Sequence, residues 1–96
     1  MITHLVLFKF KPETTEAEIQ QLAEGLGELP QKIEEIREFR FGTDVIHSER
    51  SYDFGLVSSF DDLDALQGYQ VHPEHQKVVA HVKAIASAVV AVDFEG

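Results

Sequence analysis

Apolar and polar residues alternate from the second position onward. Ile2, His4, Val6, Phe8 and Phe10 fall on one side of an extended chain, with Thr3, Leu5, Leu7 and Lys9 on the other. This predicts a strand over Ile2–Phe10 that carries apolar groups on both faces; Lys11-Pro12 ends it. The period then changes: Ile19, Leu22, Leu26 and Leu29 recur at steps of three and four, the spacing of one helical face. Thr15 followed by Glu18 has the spacing of a capping box, so the helix begins just after Thr15. Pro30 has no N–H to offer a continuous helix. A short second segment is therefore expected over 30–35, with Ile33 and Ile36 extending the stripe.

A second strand is predicted over 38–46, with Phe39 and Phe41 on one face and Gly42 at a bulge. Residues 47–51 form a polar turn. A third strand covers 52–60, with Tyr52, Phe54, Leu56 and Phe60 on one face and Val57 on the other. Asp61 caps a short helix that carries Leu63 and Leu66 and ends near Tyr69. Pro73 opens another, with Val78, Val82 and Ile85 on its buried stripe. The last strand, 88–94, is β-branched and apolar on both sides. The order strand, helix, strand, strand, helix, strand predicts an α+β fold of ferredoxin-like type, one antiparallel sheet with helices on one face. The far face then leaves an apolar patch larger than a soluble monomer tolerates. A second copy, sheet to sheet, is the simplest cover, so the chain is expected to be a homodimer.

Composition narrows the function. A chain of 96 residues is read as one domain, 1–96. With no Cys, thiolate nucleophiles, disulfides and Cys-bound zinc or iron–sulfur centres are excluded. Eight basic residues against seventeen acidic ones give a net charge of −9. Such a surface repels nucleic-acid phosphates and anionic lipid, so neither is an expected partner. The apolar stretch 84–92 is broken by Ser87 and is too short to span a bilayer. No secretory leader is readable after Met1, and a cytoplasmic location is expected.

Of five histidines, His47 lies in the polar turn and His81 on a polar stripe with Glu74 and Lys77, so both are expected in solvent. His75 differs, lying three residues before Val78 and seven before Val82, on the buried stripe. Tyr69 likewise follows Leu66 by three. Two polar side chains aimed into an apolar interior need partners, because an unpaired buried polar group costs about 1–3 kcal/mol. Each other, a shared water or a ligand would serve, and so would a purely structural pair that pins two short helices together.

Tyr69-Gln70-Val71-His72-Pro73-Glu74-His75 resembles the Y-x-x-H-P-x-H signature of the stress-responsive A/B barrel (Dabb) family. The resemblance covers nearly the whole chain: His4–Phe10, Gly42 and Asp44, the strand ending at Phe60, and Val92-Asp93-Phe94. It implies a ferredoxin-like subunit that pairs with its twin into a dimeric α+β barrel. The family's polyketide cyclase closes a linear poly-β-ketone by aldol condensation without metal or redox cofactor, and its catalytic Tyr and His match Tyr69 and His75. A pocket-lining His matches His4, and Val6, Phe8 and His72 join it as the expected lining, His72 with a structural job before Pro73. No cofactor is implied. A metal held by His72, His75, Glu74 and His4 is not expected, because Pro73 breaks the helical spacing that would bring the two signature histidines together.

Two function classes follow. One is a cofactor-independent enzyme moving a proton next to a carbonyl, with a small apolar or polyketide-like ligand, His75 as acid and base and Tyr69 as hydrogen-bond donor. The other is a non-catalytic, stress-related binding or structural dimer. A cavity of about 300 Å³ opening on Tyr69 and His75 favours the first, and a collapsed site the second. A separation beyond ~8 Å would deny the pair its reach.

Overall fold

The computed structural model describes Met1–Gly96. Its elements are β1 (Ile2–Phe10), α1 (Glu16–Lys32), β2 (Glu38–Thr43), β3 (Phe54–Phe60), α2 (Leu63–Val71), α3 (Pro73–Ile85) and β4 (Ala86–Glu95). The strands form one antiparallel sheet in the order β2-β3-β1-β4, and the fold is ferredoxin-like. Period-two patterning decides which face meets the helices. Ile2, Val6 and Phe8 of β1 and Phe54, Leu56 and Phe60 of β3 are buried against Leu22, Leu26 and Leu29 of α1 and Val82 and Ile85 of α3. Each such side chain gains roughly 1.5–3 kcal/mol on leaving water.

The other face stays open. Leu5 and Leu7 lie opposite Val92 and Val90, and Leu5 also opposite Val57; Val90, Val92 and Phe94 are about half exposed. β4 is an edge strand, and its helix-side residues Val89, Ala91 and Asp93 also remain exposed. No helix is long and apolar enough to cross a membrane.

Several expected boundaries move, each for a local reason. The α1 capping box forms as read, with Thr15 Oγ1 accepting from Glu18 N and Glu18 Oε1 accepting from Thr15 N. Pro30, however, starts no second segment: α1 runs through it to Lys32, and Ile33 N–H still reaches Leu29 O at 2.9 Å. A proline in the last turns removes one donor and leaves later bonds intact. Gly42 forms no bulge and pairs with Gly55 in unbroken register; the irregularity lies at Lys9/Phe10 against β4. β2 stops at Thr43 because Asp44 turns the chain, its carboxylate accepting from His47 N at 2.6 Å with His47 left-handed at φ 58°. β3 starts at Phe54 because Asp53 instead ties down the end of β1, its carboxylate accepting from Phe10 N at 2.8 Å. Asp62, not Asp61, caps α2, accepting from Ala65 N, while Asp61 pairs with Arg37. Of the two leucines this helix carries, Leu66 is buried and Leu63 points to solvent, 67% exposed.

Candidate active site

The site is assembled where α2 meets α3 above β1. α2 delivers Tyr69 into the core, 1% exposed, against Phe60 at 4.9 Å and Phe39 at 6.2 Å between ring centroids. His72 ends α2 and caps α3: its Nδ1 accepts from Glu74 N at 3.1 Å. That short corner places His75 one helical turn further on, its ring centroid 4.2 Å from that of Tyr69. The pair therefore lies well within the reach that the chemistry demands. It is not, as one reading of the sequence had it, joined by a hydrogen bond. His75 Nδ1 instead lies 3.1 Å from Gln70 O. A carbonyl only accepts, so Nδ1 carries the proton and Nε2 keeps its lone pair.

His4 completes the cluster from below. It is buried in the row Ile2, Val6, Phe8 and packs edge-on to Tyr69 at 6.2 Å. Its Nδ1 is hydrogen-bonded to the carboxylate of Asp93, its opposite number in the β1–β4 register. Ser58, fully buried on β3, donates to His4 O at 3.2 Å. The Tyr69 hydroxyl and His4 Nε2 have no protein partner, yet no fully buried side-chain nitrogen or oxygen is left unpaired. Both polar tips therefore touch solvent.

Burial sets the protonation states. Loss of solvation lowers the His75 pKa, helped by the charges of His4 and His72 and opposed by the hydrogen bond to Gln70. Burial pushes the Tyr69 phenol well above its ordinary value. At neutral pH the cluster thus offers a neutral imidazole with a free lone pair beside a protonated phenol, the pairing that proton abstraction with oxyanion support requires.

Other expected residues fall elsewhere. Val6 and Phe8 are core side chains, Phe8 packing on Phe54 at 5.7 Å and not on Tyr69. His72 works as a helix cap. His47 is exposed as expected, whereas His81 is half-buried and donates from Nε2 to Glu18 O at 2.9 Å, tying α3 to α1. None of the five principal surface concavities is lined by Tyr69 or His75; one, of about 290 Å³, lies between α1 and α3. No group of three or more His, Asp or Glu is arranged to hold a metal ion. Asp93 and Ser58 went unrecognised in the sequence as site residues. Asp93 stands 89 positions from His4, and only the strand register joins them.

Known proteins resemble this chain in sequence and fold. The chain is 38% identical to an uncharacterized protein of Streptomyces coelicolor, over 99% of both chains. It is 29% identical to olivetolic acid cyclase of Cannabis sativa over 77% of this chain and 75% of the cyclase. A dimeric ferredoxin-like protein of unknown function from Thermobifida fusca superposes with a TM-score of 0.91 at 32% identity, covering 99% of this chain and 90% of that one. The family model described as "Stress responsive A/B Barrel Domain" matches residues 2–96, and the chain belongs to that family.

Proposed function

We propose that this protein is a homodimeric, cofactor-independent acid–base enzyme acting on a small carbonyl compound, with His75 as base and Tyr69 as hydrogen-bond donor. The observation that carries this reading is the His75 tautomer. Gln70 O holds the Nδ1 proton, so the Nε2 lone pair is free beside a phenol that cannot ionise near neutrality. The C–H bond next to the carbonyl breaks, and its proton passes to Nε2. Its electron pair moves onto the carbonyl oxygen, which accepts the Tyr69 O–H. General acid–base assistance of this kind supplies about 10²–10⁴-fold. The resemblance to olivetolic acid cyclase supports a cyclisation that starts from such an enolate.

A specific observation favours the second class, a structural or binding dimer: the rings of Tyr69 and His75 pack 4.2 Å apart between centroids, and neither residue lines any of the five principal surface concavities. Deuterium uptake by a probe ketone, phenylacetone, in D₂O separates the two. The enzyme reading expects wild-type uptake above buffer, lost in His75→Ala and Tyr69→Phe while the fold is retained. Equal rates in wild type and both variants remove it.

A further inference from the structure

Resting on the acid–base reading of His75, we infer that Glu74 is its positioning residue, acting through an ion pair to Lys32 of α1. Glu74 is the second residue of α3 and immediately precedes His75, so the two Cα atoms lie about 3.8 Å apart. Its backbone N–H donates to His72 Nδ1, which closes the α2–α3 corner. Its carboxylate takes two cations: Oε1 lies 3.2 Å from Lys32 Nζ, and Oε2 lies 3.0 Å from Lys77 Nζ. Lys32 also holds Glu28 at 3.0 Å, one turn earlier on α1. The result is a chain of alternating charge, Glu28–Lys32–Glu74–Lys77, that joins the last turn of α1 to the first turn of α3. Both helix ends favour it, since a cation suits the C-terminus of α1 and an anion the N-terminus of α3.

An isolated exposed ion pair holds little, whereas linked charges in fixed geometry hold more. Glu74 is the linked member: both its oxygens are taken, and its side chain is 25% exposed. Its place in the helix packing matters as much. Along the helix pair, His81 Nε2 donates to Glu18 O, Val78 packs where Gly25 has no side chain, and Glu74 meets Lys32. The last of these contacts lies beside His75 and is carried by charge. Lys77 does more than Lys32 to hold the Glu74 carboxyl below its ordinary pKa, yet Lys77 belongs to α3 itself and bridges no two elements. The consequence falls on Gln70 O. That carbonyl receives His75 Nδ1 at 3.1 Å and Gln76 Nε2 at 2.6 Å, so two side chains of the first turn of α3 share it. Released from α1, the turn rotates, Gln76 keeps the carbonyl, and His75 loses the contact that fixes its proton on Nδ1. Nε2 is then free to carry the proton, and an imidazole in that form offers no base at Nε2.

The test is ¹⁵N NMR of the histidine side chains in the full-length protein, above the imidazole titration, with phenylacetone exchange measured beside it. Wild-type His75 is expected in the Nδ1–H tautomer. Glu74→Gln and Lys32→Met should each populate Nε2–H His75 and slow exchange about 3- to 10-fold, short of the 10²-fold that a 1 Å misplacement can cost. Joining the two substitutions should add nothing further. Lys32→Arg keeps a cation across the helices and should preserve tautomer and rate. Lys77→Met removes a cation without parting the helices and should change neither. Lys32→Met also serves if the glutamine variant fails to fold. An unchanged tautomer in either folded variant overturns the proposal. So does an equal change in Lys77→Met, or a changed tautomer with an unchanged rate when His75→Ala is slowed. If wild-type exchange never exceeds buffer, the acid–base reading of His75 fails, and the tautomers alone still decide what Glu74 holds.

Discussion

A single backbone acceptor decides what His75 is able to do, and burial decides when. Its pKa is lowered from the ordinary 6.5, chiefly by loss of solvation. The unfolded chain therefore binds this proton more readily than the native one. Stability contributed here is present above the unfolded pKa and is lost as pH falls through the lowered native value. Urea unfolding between pH 7.5 and 5 should show a decline that is shallower in His75→Gln; an identical decline in both would mean that His75 is not the group responsible. Tyr69→Phe removes a hydroxyl with no protein partner, so the fold should lose less than about 1 kcal/mol while turnover collapses. Tyr69 and His75 were legible because each shares a helical stripe with aliphatic neighbours. Asp93 was not, since its role exists only through a pairing register that no local pattern encodes.

Elements were legible where their signals are local. The Thr15–Glu18 box starts α1 as read, because both hydrogen bonds close within one turn. Ends proved harder, since carboxylates placed by the tertiary structure decide them: Asp44 ends β2, Asp53 fixes where β3 begins, and Asp62 takes the cap assigned to Asp61. His72 is the sharpest case. Expected both among the pocket lining and in a structural job before Pro73, it does the structural job: its imidazole caps the helix that carries His75. His72→Ala should cost about 1 kcal/mol by urea unfolding, the usual worth of an N-cap, and His72→Asn should recover most of it. Full stability in the alanine variant would show the cap to be idle.

For the whole molecule the deciding feature is the open sheet face. Leu5, Leu7, Val57, Val90, Val92 and Phe94 form an apolar centre, with Thr3, Lys9, Glu38 and Arg40 around it, the core-and-rim pattern of an interface. Two solved proteins of this fold, at 32% and 29% identity, are dimers. Sedimentation should give twice the 10.8 kDa of one chain. Val92→Asp buries a charge at the proposed contact and should yield monomers. Val45→Asp changes a residue that is 83% exposed at the β2–β3 turn and should leave the mass unaltered. Exposure alone thus does not define the contact; membership of the sheet face does. Salt gives an independent check. Each copy carries −9, so association brings like charges together and the apolar contact must outweigh their repulsion. Raising ionic strength shortens the reach of that repulsion to about 3 Å at 1 M, while sparing hydrophobic burial. The dimer should therefore tighten with salt. A dimer that loosens would be held by cross-subunit ion pairs at the rim, and the apolar face would not be its cause.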